Sequence, residues 1–163
     1  MRRILTSIGI LSVAMILGTP AWAQQAPPKP LPYGMPISLE QAKKAAAAAE
    51  AEAKKNGFPS AIVIVGPNGE IIFAEKMDGS NNAVVDAATV KAKGAALYRR
   101  PTKLFEERLK DAPFLIGLAD ISVVGGGIPL VEQGHVVGAI GASGAPSSGG
   151  DVEAAQAGVD AVK

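Results

Sequence analysis

The 163-residue chain contains no cysteine and one histidine, and aromatic residues make up 4% of it. Without cysteine there is no disulfide, no thioether lipid anchor and no thiolate metal site. A lone histidine cannot by itself complete a zinc site, which takes three or four protein ligands. The charge is also sparse and balanced, with 16 basic and 15 acidic residues, which leaves no basic footprint for nucleic acid. No apolar run approaches the roughly 20 residues that a membrane-spanning helix needs. The longest, Ile8–Leu17, follows Arg2-Arg3 and precedes Thr19-Pro20 and Ala21-Trp22-Ala23. That order of basic start, short apolar core and small-x-small site reads as an export signal over 1–23. Cleavage there predicts a periplasmic or secreted protein with no stable membrane anchor. It would remove two arginines, leaving 14 basic and 15 acidic residues, a net −1, and would take away the only tryptophan.

What is present is proline at the start, alanine in the middle and glycine toward the end. Residues 24–36 carry Pro27, Pro28, Pro30, Pro32 and Pro36. Proline fixes φ and lacks a donor, so this reads as an extended arm, either a disordered leader or a strap on a neighbouring subunit. Ser38-Leu39-Glu40-Gln41 is a capping box that predicts a helix up to Lys55, closed by Asn56-Gly57. The β-branched run Ala61–Val65 predicts a buried strand. Gly66-Pro67-Asn68-Gly69 then turns it into a second strand, Ile71–Met77, and a turn this short makes the pair antiparallel. Val85, Ala88, Ala92 and Ala95 mark the apolar face of a helix over Val84–Tyr98, with Gly94 as a site of close packing. Arg99-Arg100-Pro101 stops it, and Thr102 is expected to cap a short helix over Lys103–Lys110. Strands are predicted at Ile121–Val124, Ile128–Glu132 and His135–Ser143, and a last helix over Asp151–Val162 with Asp151 at its positive end. The sum is an α+β domain over 37–163, with a mainly antiparallel sheet packed with helices.

The glycine-rich stretch resists nucleotide readings. Gly138, Gly141 and Gly144 follow G-x-x-G-x-x-G rather than the dinucleotide spacing. Gly144–Gly149 fits a phosphate loop only until Gly150-Asp151 stands where Lys-Ser/Thr is required. Glycines on a strand mark close backbone approach or a bulge, and the loop before the last helix could present free N–H groups to an anion. Ser143, His135 and Asp151 can be drawn as a triad, but Gly141-Ala142-Ser143-Gly144 is not a nucleophile elbow. His135 follows Gly134 in a hairpin turn, either as an exposed residue or as a haem or metal ligand. Arg99, Arg100, Lys103 and Arg108, with Tyr98 and Phe105 among them, form the densest basic cluster. It suits ligand carboxylates and equally a solvated helix end.

Val123-Val124-Gly125-Gly126-Gly127-Ile128-Pro129-Leu130, followed by Val137–Gly144, resembles the GlcG/HbpS-like family, which is described as haem-binding or haem-degrading and is similar to the C-terminal domain of PduO. Ser38–Ala42, Ala61–Gly69 and Lys91–Thr102 share the likeness, which spans Ile37–Lys163. The resemblance implies a profilin-like layered fold with a five-stranded antiparallel sheet, homo-oligomers and, in some exported members, haem. The candidate ligand-binding residues are then Arg99, Arg100, Thr102, Lys103, Phe105, Gly125, Gly126, Gly127 and His135, with His135 the candidate metal ligand. Thr102 is a further oxygen donor for haem iron, and Met35, Met77, Tyr33 and Tyr98 are the other donors available. Three functions follow as expectations: binding of haem or a similar small ligand, catalysis on a small metabolite such as haem or an organic acid, and a structural role in assembly.

Overall fold

In the computed structural model, which describes residues 29–163, four helices enclose a four-stranded sheet. The expected export signal and the first residues of the proline arm lie outside the described residues. Helix α1 is Leu39–Lys55, and its start is the capping box read from the sequence. The Ser38 hydroxyl accepts from the Gln41 N–H, and the Gln41 side chain accepts from the Ser38 N–H. The strands are β1 (Ala61–Val65), β2 (Ile71–Lys76), β3 (Gly127–Glu132) and β4 (His135–Ser143). Their order is β2-β1-β4-β3, and every neighbouring pair is antiparallel. Helix α2 is Val84–Tyr98, α3 is Lys103–Arg108 and α4 is Ser148–Asp160, and a short 3-10 turn spans Pro113–Gly117.

The sheet is covered on both faces, which is why β1 is buried at all five positions. Side chains alternate along a strand. Ile62 and Ile64 therefore join Ile128, Leu130 and Ile140 beneath the alanines of α1 and α4, while Val63 and Val65 meet Val84, Ala88, Ala92 and Ala95 of α2. Small residues set the layer spacing. A Cβ at Gly141 would run into the backbone of Ala88, and one at Gly127 into the Lys91 carbonyl. Strand glycine here is the mark of a helix lying directly on the sheet. Gly94 plays the same part on the far side of α2, where a Cβ would meet the Ser122 N–H at 3.1 Å and the Asp120 carbonyl at 3.2 Å.

The sheet has four strands, not five: Ile121–Val124 is not a strand. Its polar groups bond locally, with the Ser122 hydroxyl accepting from the Val124 N–H at 3.3 Å and donating to the Val124 carbonyl at 3.0 Å. Its apolar side chains, Ile121 and Val123, pack on a small cluster built from Phe105, Ala112 and Leu115. The β-branched residues thus find burial without a ladder partner. Thr102 does not cap α3 with its side chain, because the hydroxyl is turned to the Gly127 N–H at 3.0 Å. Helix α4 begins three residues before the expected Asp151.

The described part of the proline arm lies on the domain. The Pro32 carbonyl accepts from the Val136 N–H at 2.8 Å, and the Gly34 N–H donates to the Val136 carbonyl at 2.9 Å. Tyr33 forms a parallel bridge with Val136, beyond the point where β1 ends opposite Ala139. The Tyr33 hydroxyl donates to the Leu97 carbonyl at 2.8 Å.

Candidate functional site

Lys91 falls on the sheet-facing stripe of α2, between Ala88 and Ala92 and one turn before Ala95. Helical spacing therefore drives its stem inward, and the residue is 4% exposed. Asp151, in the first turn of α4, is 5% exposed. Their charged ends meet at 2.6 Å. The Lys91 ammonium also donates to the Ala142 carbonyl at 3.2 Å, and the other Asp151 oxygen accepts the Ala145 N–H at 2.9 Å. The pair thereby ties the end of β4, the following loop and the start of α4 to α2. Gly126, at φ 118°, makes room for it. A Cβ there would lie 2.7 Å from the Ala142 carbonyl oxygen, 2.8 Å from the Asp151 Cβ and 3.1 Å from the Lys91 nitrogen.

Taking two charges out of water costs several kcal/mol for each ion, and an apolar pair of like volume often does as well. The position of this pair is therefore informative, because it forms the wall of an open cleft of about 510 Å³. Ser122, Ser143, Ser147 and Ser148 supply hydroxyls around it, and Val90, Val124 and Pro146 supply an apolar rim. Lysine has three donors; two are committed, and among the described residues the third has no partner. A volume of this size lies in the range of about 300–1,000 Å³ usual for small-ligand sites.

Behind the cleft, Glu106 of α3 acts as a hub. It accepts the Gly125 N–H at 2.7 Å, the Lys103 ammonium at 2.9 Å and the Ser148 hydroxyl at 2.9 Å. Desolvation pushes the Glu106 carboxyl upward, but the hydrogen bonds from Lys103, the Gly125 N–H and Ser148 outweigh it, so the group sits below the ordinary carboxylate range. The ionised form thus holds the triple-glycine loop against α3 and α4.

The structure brings some of the sequence-derived candidates together. Thr102, fully buried, clasps Gly127 from both sides, its N–H donating to the Gly127 carbonyl at 2.9 Å. Lys103 and Gly125 share Glu106, and Gly126 abuts the ion pair. Phe105 is buried edge-on to Tyr98 with ring centres 5.4 Å apart, and the Arg100 guanidinium lies 6.0 Å from its ring centre. Arg99 instead faces the arm. It donates to the Leu31 carbonyl at 3.0 Å, and its guanidinium sits 5.0 Å from the centre of the Tyr33 ring. His135 opens β4, whereas Ser143 closes it. Eight steps of extended chain, about 26 Å, separate His135 from the cleft, so His135, Ser143 and Asp151 form no triad. Among the described residues, no three His, Cys, Asp or Glu side chains gather as a metal site. Lys91 and Asp151 were missed as a pair from sequence. The available signals were a cation on an apolar stripe and an acid after Gly149-Gly150, but nothing local joins them.

Residues 37–160 match the family model described as haem degrading protein HbpS-like. Protein GlcG of Escherichia coli K12 is 32% identical over 114 residues, covering 66% of this chain and 81% of GlcG. A crystal structure of HbpS is 32% identical, covers 82% of this chain and 94% of its own, and gives a TM-score of 0.76. A double mutant of the Streptomyces reticuli HbpS is 28% identical, with a TM-score of 0.75 over 98% and 99% of the two chains. The PduOC–heme complex, 21% identical with a TM-score of 0.72, shares the fold.

Proposed function

Because the chain belongs to the HbpS-like family, we propose that it binds haem or a similar small carboxylate-bearing ligand in the cleft between α2 and α4. The observation that carries this reading is the buried Lys91–Asp151 pair on the cleft wall. A ligand carboxylate takes the third N–H of Lys91 and the hydroxyls of Ser143 and Ser147, while the rim of Val90, Val124 and Pro146 covers an apolar body. Charge-assisted bonds of this kind are the strong ones. A haem offers both features, with its propionates and flat macrocycle. The fit stops at the iron. Haem iron takes donors such as His, Met, Tyr or Cys, and the cleft lining contains none of these. Its residues suit the acidic edge of a haem and supply no iron ligand. The same feature favours a second reading, in which the ligand is a free organic acid, bound or turned over.

Export and self-association belong to the same proposal. The association is supported by Leu104, Phe114, Ile116 and Leu118, all exposed in this single chain. Native mass spectrometry of the protein recovered from its own cell envelope reads the mature mass, the oligomer and any retained ligand together. For the ligand, hemin is titrated into the wild-type protein and the Lys91→Met variant while the Soret band is recorded. A shifted band in the wild type that weakens in the variant supports haem in the cleft. A spectrum equal to free hemin at all ratios removes haem, and calorimetry with small dicarboxylates then tests the organic acid.

A further inference from the structure

At the opposite end of β4 from the cleft, the arm crosses the β3–β4 hairpin and leaves a notch of about 280 Å³, lined by Gly34, Met35, Pro36, Glu132, Gln133, His135 and Val137. Met35 is 83% exposed, so its soft, polarizable thioether is open to solvent. Its backbone is pinned on either side. The Gly34 N–H donates to the Val136 carbonyl at 2.9 Å and the Ile37 N–H to the Val137 carbonyl at 2.8 Å. The crossing is tight enough that a Cβ at Gly34 would come within 2.9 Å of the His135 Cβ. The arm therefore brings Met35 to the notch that His135, the only histidine of the chain, also lines.

The imidazole is oriented as well. His135 Nδ1 lies 3.1 Å from the Gln133 carbonyl. A carbonyl only accepts, so this contact puts the proton of the neutral ring on Nδ1 and leaves the lone pair on Nε2. Metal-binding histidines are commonly set in this way by a backbone carbonyl. The turn that presents the ring is fixed by positive φ at both central residues, Gln133 (49°) and Gly134 (79°), the geometry of a two-residue hairpin turn.

We propose that His135 and Met35 form a site for a single Cu(I) ion, with Glu132 at its edge. Thioether is a soft donor that selects Cu(I), and imidazole suits copper equally. Zinc calls for three or four protein ligands, and hard cations for a set of oxygens. The notch is smaller than the usual small-ligand pocket, which favours an ion over a macrocycle. The site is independent of the cleft and of the reading given to it.

The test is a competition with the Cu(I)–bicinchoninate complex under reductant, using the full chain. The wild type is expected to withdraw one equivalent, and His135→Gln and Met35→Leu are each expected to weaken retention by about tenfold or more. Both side chains are exposed, so both variants should keep the wild-type far-UV spectrum and hemin response. A wild type that leaves the coloured complex unchanged overturns the proposal, as does a Met35→Leu variant that holds Cu(I) as tightly as the wild type. Loss of the hemin Soret shift in His135→Gln, with Cu(I) retention unchanged, assigns the histidine to haem and overturns it also.

Discussion

Replacing Lys91 with methionine keeps the length of the stem and removes the charge. Asp151 is then left 5% exposed with only the Ala145 N–H at 2.9 Å. Breaking a buried pair by removing one partner costs about 3–5 kcal/mol. The cleft beside the pair lets water reach the orphaned carboxylate, so the lower end, about 3 kcal/mol, is expected. That is a large part of the roughly 5–15 kcal/mol by which a domain is stable. In Lys91→Met/Asp151→Leu both charges are gone and the loss falls to about 1 kcal/mol, the cost of the unpaired Ala145 N–H. Urea unfolding of the wild type, both single variants and the double variant, with the slope unchanged, closes the cycle. The reasoning fails if Lys91→Met costs less than about 1 kcal/mol, the range of an exposed pair. It fails equally if the double variant costs the sum of the singles.

Two carboxylates should shape the pH profile in opposite senses. Glu106 titrates below the ordinary range, so it contributes stability above the unfolded-state value that is lost as the pH falls through its folded value; Glu106→Gln should therefore be destabilised at neutral pH and should approach the wild type in acid. Glu75 is raised, first by desolvation and then by Glu50, with Lys54 opposing, and one of its oxygens is buried with no partner among the described residues. Its contribution is present below the unfolded-state value and is lost as the pH rises through the folded one, so Glu75→Gln should gain over the wild type at neutral pH but not in acid. Thermal melts across pH 3–8 read both, and matching slopes for the two variants would contradict the assignment. Gly127→Ala should cost about 1–3 kcal/mol by overpacking, because the added carbon meets the Lys91 carbonyl and the Thr102 methyl; a variant with unchanged urea midpoint would show that α2 does not lie on the sheet as described.

Elements with a local signature were legible in the sequence to the residue. Helix α1 begins at its capping box and α2 spans its small apolar residues at helical spacing, while β1 and β4 coincide with their β-branched and glycine-spaced runs. Hairpin turns gave the antiparallel neighbours. Ile121–Val124 was misread because four apolar residues look alike in a ladder and in a local cluster, and only the position of Phe105 and Leu115 tells them apart. Arg99 has the composition of an anion-binding residue but faces a carbonyl and an aromatic ring of the arm.

The sequence by itself determined where α1, α2, β1 and β4 start and stop, that the layers must lie close, and which family the chain resembles. Each of these is written in residues within a turn or two of one another, where caps, periodicity and missing side chains act. The tertiary structure alone decided that β1 sits between β2 and β4, and that the arm returns to β4, so that Met35 and His135 line one notch. It also decided that Lys91 meets Asp151 across 60 residues. Those partners are selected by which distant surfaces exclude water together, and no spacing along the chain records that choice.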